Sequence, residues 1–254
     1  MKHILVLVPF PMSDENLSAR RQQLRAVELG ADIEWHFEAV KLAPKNYISA
    51  ADMVLADIGL LEAGLNAERD GYDAICVDTM SDSGVAALRS HLSIPVFGPG
   101  RASMLTALML GNRFSIITMW DHWRHFYQKH LTELGIEQKC VSIRSINVAP
   151  DNQALMAGKE DAIFPLLEAE AMKAIDEDCA EVILLGSTTM HQAHAYLAER
   201  LPVPVINPGP LTYKLAELAL ASHLTHSKKA YPPSPFGKED VITAMLDVAK
   251  GFDH

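Results

Sequence analysis

The segment Asp73-Ala-Ile-Cys-Val-Asp-Thr-Met-Ser-Asp-Ser-Gly84 decides how the rest of the chain is read. Ala74 to Val77 form a short apolar run that ends in a polar turn, and a helical pattern begins at Val85. A run bounded in this way suits a strand buried on both faces of a parallel sheet. The pattern returns at Glu181-Val-Ile-Leu-Leu-Gly-Ser-Thr-Thr-Met190. In open α/β sheets ligands bind beyond the carboxyl ends of the strands. The two polar turns are therefore the expected site, one contributed by each half of the molecule and facing a common cleft.

Flanking segments extend the pattern. Before the first turn come an apolar strand Ile4 to Val8 ending at Pro9-Phe-Pro11, a helix Leu17 to Leu29 closed by Gly30, a strand Ile33 to Val40, and an amphipathic helix Ser49 to Arg69. After it come a helix Val85 to Leu92, a strand Ile94 to Gly98 and a helix Ala102 to Leu110. The order then restarts with a strand Phe114 to Thr118, a helix His122 to Leu134 stopped by Gly135, and a strand Lys139 to Ile146. A loop with Pro150 and Asn152, a helix Glu160 to Ile175 and the strand Val182 to Leu185 follow. A helix Gln192 to Leu201, a strand Val203 to Ile206 and a helix Leu211 to Leu224 complete the second set. Strand and helix alternate twice over, which predicts an α/β protein of two pseudo-symmetric domains, each a short parallel sheet flanked by helices. The first is expected over 1–100 with 210–254, and the second over 101–209.

The repeat is visible in single residues. An offset of 204 − 95 = 109 lays Pro95 on Pro204, Val96 on Val205, Pro99 on Pro208 and Gly100 on Gly209. It lays Thr79 on Thr188, whereas a one-residue gap lays Thr79 on Ser187. From Ser227 the chain becomes a Pro-rich connector followed by a helix from Glu239 to Ala249, read as a strap or an oligomer contact.

Composition narrows the function. The chain has 254 residues, nearly half of them apolar, and a formal net charge of −10. Lys/Arg runs are no longer than two residues, which argues against nucleic acid as a partner. Cys76, Cys140 and Cys179 form no closely spaced pair, as expected of reduced thiols in a cytoplasmic protein. The apolar run near Met1 is too short for a membrane span, so no membrane partner is expected either.

With these turns placed, the chain resembles the aspartate/glutamate/hydantoin racemase superfamily, and its hydantoin and allantoin racemase branch in particular. Thr79-Met-Ser-Asp-Ser-Gly84 is similar to that branch's Cys-x-x-Asp-x-Gly turn, and Gly186-Ser-Thr-Thr-Met190 to its Gly-Cys-x-x-Met turn. Pro95-Val-Phe-Gly-Pro-Gly-Arg-Ala102 matches the intervening segment with Arg101 in place of Glu. Val8-Pro-Phe-Pro-Met12 keeps the proline of the first loop. The resemblance implies an enzyme that needs no cofactor, moves the α-proton of a small carboxylate or cyclic amide, and assembles as a homo-oligomer. It also implies that Thr79 and Ser187 stand where the family carries paired cysteines.

That substitution changes the chemistry. A thiol ionises near pH 8.5, and an alcohol roughly five units higher, a difference of about 7 kcal/mol against ionisation. Thr79 and Ser187 are thus expected to act through hydrogen bonds, with Ser81, Thr188, Thr189 and helix-start amides completing a polar cradle. Proton transfer would then fall to Asp78, Asp82, His191 or His194. The alternatives are a lyase, decarboxylase or hydrolase using the same hydroxyls, and a small-molecule binding protein. Pro9, Phe10, Met80, Thr118 and Arg101 are the remaining expected substrate contacts. Ser and Thr at such turns also serve as plain helix caps. His191/His194 and His122/His125 have helical spacing but no third ligand beside them in sequence, so no metal is expected. Met104 to Met109 are expected in a helix core, and Trp120 and Trp123 in a pocket or an interface.

Overall fold

Buried β-rich runs form the centre of each sheet, and their helices follow in chain order. The computed structural model describes residues 1–149, 160–235 and 239–249; the expected loop through Pro150 and Asn152 lies outside them. The first set is β1 (Lys2–Val8), α1 (Asp14–Arg20), β2 (Ile33–Ala39), α2 (Ala50–Gly64), β3 (Ala74–Val77), α3 (Val85–His91) and β4 (Val96–Phe97). Then come α4 (Pro99–Leu110), β5 (Phe114–Thr118), α5 (Arg124–Leu134), β6 (Cys140–Ser145), α6 (Glu160–Asp176), β7 (Val182–Leu185), α7 (Ala193–Ala198) and β8 (Val205–Ile206). Helices α8 (Pro208–Ala221) and α9 (Glu239–Ala249) close the chain.

The chain divides into two compact units, Met1–Gly98 with Thr212–His254, and Pro99–Leu211. The first holds a parallel sheet in the order β2-β1-β3-β4, and the second a parallel sheet in the order β6-β5-β7-β8. These orders are the same once four is added to each strand number. In the first unit Leu5, Leu7, Ile75 and Val77 face α2 and α3 residues such as Leu60 and Leu88, while Ile4, Val6 and Cys76 face Phe37, Tyr213 and Ala216. In the second, Ile117, Ile183 and Leu185 pack with Leu167, Ala171, Leu197 and the partly buried Trp123. Strands enclosed on both faces need the near-continuous apolar runs seen in the sequence.

Several boundaries differ from expectation, each for a local reason. The first helix begins at Asp14, because Ser13 Oγ accepts the Asn16 N–H. Beyond Arg20 it tightens into a 3-10 turn over Arg21–Ala26 and ends well before Gly30. Residues three apart on a helix are neighbours on its surface, and Arg20 at the end of α1 and Gln23 in the 3-10 turn both reach Asp78. Helix α2 is nucleated by a capping box between Ser49 and Asp52 and stops at Gly64, short of Arg69. Strands β4 and β8 shrink to two residues, since Pro95 and Pro204 lack an N–H and serve only as acceptors for Ile75 and Ile183, each at 2.9 Å. Helices α4 and α8 begin at Pro99 and Pro208, three residues before Ala102 and Leu211, because proline's fixed φ suits the first helical position. Helix α7 spans only Ala193–Ala198, inside the expected Gln192 to Leu201. Within α4, Met104 is buried but Met109 is 83% exposed, so the Met-rich stretch is not uniformly core.

The tail past α8 lies along the end of α3. Lys228 Nζ donates to the carbonyls of Arg89 at 2.8 Å and Ser90 at 3.2 Å, and also to that of Leu92. The Arg89 guanidinium stacks 5.3 Å from the Tyr231 ring centroid. A cation at a helix C-terminus meets both orphan carbonyls and the negative end of the helix dipole.

Candidate functional site

In a sheet ordered 2-1-3-4, the strand order reverses between the first and third strands, and ligands bind beyond that point. The turns after β1 and β3 in the first unit, and after β5 and β7 in the second, occupy this position. Strand β7 begins 182 − 74 = 108 residues after β3, whereas β8 begins 205 − 96 = 109 after β4. The gap therefore falls beyond the turn. Thr79 and Ser187 are each the second residue past their strand, and Ser81 corresponds in the same way to Thr189.

Both turns carry linked hydroxyls. In the first, Thr79 Oγ1 lies 3.1 Å from Ser81 Oγ, which lies 2.9 Å from Ser83 Oγ. The Ser83 N–H donates to Ser81 Oγ at 3.4 Å and the Ser81 N–H to Thr79 Oγ1 at 3.5 Å. Oxygens that accept from backbone in this way are left with O–H protons to pass along the chain of hydroxyls. In the second turn Ser187 Oγ lies 2.7 Å from Thr189 Oγ1 and accepts the Thr189 N–H at 3.2 Å. Ser187 thus caps the short 3-10 turn Thr188–Met190, so it fills the ordinary capping role as well.

The turns are braced from beneath. Gly186 carries no side chain because a Cβ there would stand 2.6 Å from Tyr127 Oη and 2.9 Å from Thr118 Cβ. Tyr127 Oη donates to the Gly186 carbonyl and lies 2.8 Å from Thr118 Oγ1. The Thr118 side chain is fully buried in this network at the end of β5. In the first turn, Gly84 adopts φ +74° and its N–H donates to Asp57 Oδ1 at 2.8 Å. That amide is therefore engaged by the protein itself.

Asp78 is buried at 3% exposure and ion-paired with Arg20, while Gln23 Nε2 donates to it at 3.2 Å. Its carboxylate is committed to holding the segment after α1 under the first turn. Removing one partner of a buried pair strands the other charge and typically costs 3–5 kcal/mol, whereas an apolar exchange of both is far milder. Arg20→Met is expected to lower unfolding stability by about 3 kcal/mol, and Arg20→Met with Asp78→Leu to recover most of it. Urea unfolding monitored by circular dichroism measures both.

The other expected residues divide between the units. Pro9 and Phe10 follow β1 in the first unit. The Tyr47 hydroxyl donates to the Pro9 carbonyl at 3.0 Å, and its ring stacks 5.1 Å from Phe10. Burial, reinforced by Asp57, drives the Tyr47 phenol far up, so it stays a neutral donor. Met80 and Ser81 are buried within the first turn. In the second unit Arg101 is exposed in the first turn of α4. Thr188 is buried, and His191 Nδ1 lies 3.3 Å from the Thr188 carbonyl. His194 Nε2 lies 3.0 Å from the Val205 carbonyl, a structural bond. Cys76 is fully buried, and desolvation followed by the Asp78 charge pushes its thiol far above neutral pH. It cannot replace the family thiolate.

Sequence reasoning missed Tyr47, Asp57 and Asn207. Asn207 follows β8, is 7% exposed, donates to the His191 carbonyl at 3.3 Å, and has a buried Oδ1 without a hydrogen-bond partner among the described residues. An Asn between a strand and Pro208-Gly was the available signal. Neither His191/His194 nor His122/His125 joins a third metal-capable side chain among the described residues. A small crevice of about 20 Å³ lined by Met119, Phe164, Leu167, Thr189 and Met190 lies beside the second turn.

Twin parallel sheets with matching hydroxyl turns at their switch points define a two-unit α/β enzyme scaffold. A family model for Asp/Glu/Hydantoin racemase matches residues 18–216. Hydantoin racemase from Paenarthrobacter aurescens is 31% identical over 191 residues, covering 74% of this chain and 79% of that protein. Hydantoin racemase from Pseudomonas sp. (strain NS671) is 29% identical over 177 residues, 70% of each chain. The solved structure of allantoin racemase from Klebsiella pneumoniae superposes with a TM-score of 0.84 at 25% identity, covering 93% of this chain and 95% of that one. The chain belongs to the Asp/Glu/hydantoin racemase family and is a racemase-type enzyme of that superfamily. Among the described residues, no helix is long and apolar enough to cross a membrane.

Proposed function

We propose that the enzyme acts at the carbon beside a carbonyl in a small cyclic amide of the hydantoin class, with Thr79 and Ser187 as paired hydroxyls serving one substrate. The observation that carries this reading is their equivalence: each is the second residue past the third strand of its sheet. In this reading they occupy the positions of the family's two thiols. Hydroxyl donors stabilise the oxyanion that develops when the adjacent C–H is broken, and preorganised donors of this kind are worth about 2.7–4 kcal/mol each. His191, whose ring nitrogen lies 3.3 Å from the Thr188 carbonyl, is the proton-transfer group in this reading, imidazole being the side chain most often used as a general acid or base. Arg101 and Phe10 supply charge and an apolar wall.

The acid–base gap between alcohols and thiols favours one second reading. Loss of carbon dioxide from a malonate-like acid needs the same oxyanion donors but no proton-abstracting thiolate. Incubation of both substrate types in heavy water separates the two. The leading reading predicts deuterium at the ring carbon of a 5-substituted hydantoin, followed by proton NMR, at a rate well above the buffer rate. Carbon dioxide release without exchange would establish the second reading. Neither reaction with either class would overturn both.

A further inference from the structure

A cluster on the β1–β2 strand pair has no part in this chemistry. The parallel register sets His3 beside Glu34 and Leu5 beside His36. Glu34 and His36 are two residues apart on one strand and so share its face with His3. The opposite face of β2 carries Trp35 and Phe37 into the apolar core. His3 Nδ1 lies 3.3 Å from His36 Nε2 and 3.5 Å from Glu34 Oε2, and His36 Nε2 lies 3.7 Å from Glu34 Oε1.

Three donor groups thus converge on one point. With one proton between the rings, the imidazole nitrogen that accepts it has no second proton to offer the carboxylate. With both nitrogens protonated, two N–H groups meet head-on. A dication at the centre satisfies all three lone pairs at once. The spacing agrees, because tetrahedral zinc with bonds of about 2.0–2.1 Å separates its ligand atoms by about 3.3 Å. The edge of the His36 ring rests against Tyr72 at 5.4 Å between centroids, and Tyr72 is held by Glu38 at 3.1 Å. The three side chains are 33–52% exposed, open enough for an ion to enter and keep water.

We propose that His3, Glu34 and His36 form a binding site for a first-row transition dication, with zinc, nickel and copper favoured by two imidazoles and one carboxylate. Its ligands sit on rigid neighbouring strands, so the ion fastens the edge strand β2 to β1. Calorimetric titration of the full, tag-free chain with Zn²⁺ tests this. One saturating equivalent is expected, with affinity reduced at least about tenfold in His3→Ala and in His36→Ala, since even partners outside the ligand sphere are worth that much. His122→Ala with His125→Ala is expected to leave it unchanged. Electron paramagnetic resonance of the Cu²⁺ form is expected to show two nitrogen couplings in the native chain and one in His36→Ala. Absence of saturable binding, or binding and spectra in both single-histidine variants unchanged from the native chain, would overturn the proposal.

Discussion

Thr79→Ala and Ser187→Ala are each expected to lower turnover by about 10²–10³-fold, the usual loss on removing one oxyanion donor. Neither change should unfold the protein. Thr79 is 9% exposed at the end of its hydroxyl chain, and Ser187 is only half-buried. Loss of the Ser187 cap costs about 1 kcal/mol in stability, far less than the kinetic effect. Because the oxyanion develops only in the transition state, the fall is expected in kcat more than in KM. Steady-state kinetics on the substrate that passes the heavy-water experiment, with thermal melting as the folding control, gives both numbers. Full turnover in both variants would remove these residues from the catalytic site.

The second large effect runs in the opposite direction. Thr79→Cys combined with Ser187→Cys is expected to raise the rate of α-proton exchange by about 10²-fold or more, because a thiol removes most of the roughly 7 kcal/mol that opposes ionising an alcohol. The sign of the pH response follows. The new activity should climb as pH rises toward about 8.5, where a thiol becomes thiolate, and the native enzyme should lack that limb. Each single cysteine variant should exchange the proton of one enantiomer faster than that of its mirror image. A pH–rate profile on both enantiomers checks this. Equal rates in the native and doubly substituted proteins would mean that the two positions do not address the reacting carbon.

The strands were readable from sequence wherever burial was complete. Ala74 to Val77, Phe114 to Thr118 and Val182 to Leu185 are fully enclosed, so their apolar runs mark their ends without ambiguity. The edges were less readable. Pro95 and Pro204 sit inside apolar runs, but a residue without an N–H cannot extend the hydrogen-bonded pairing, so the strands begin one residue later. Proline shifts the helix starts as well: Pro99 and Pro208 open their helices three residues ahead of the expected Ala102 and Leu211. The paired hydroxyl turns were legible because the chain states them twice. Their supports were not. Arg20 looks like a surface helix residue, yet it closes α1 buried against Asp78, 58 residues away in sequence. Tyr47, Asp57 and Asn207 lie far in sequence from the groups they hold. The His3, Glu34 and His36 cluster depends on strand register, which no local pattern encodes. The direction of a hydroxyl is equally invisible: Thr118 stands at a strand end, as a ligand contact would, yet its Oγ1 meets Tyr127.

The central claim is that Thr79 and Ser187 address a single substrate, and a crystal structure with a 5-substituted hydantoin bound tests it most directly. The account predicts one ligand whose carbonyl and ring nitrogen atoms lie within about 3.2 Å of Thr79 Oγ1 and Ser187 Oγ, a hydrogen-bonding distance. A ligand bound productively elsewhere, touching neither hydroxyl, would contradict it.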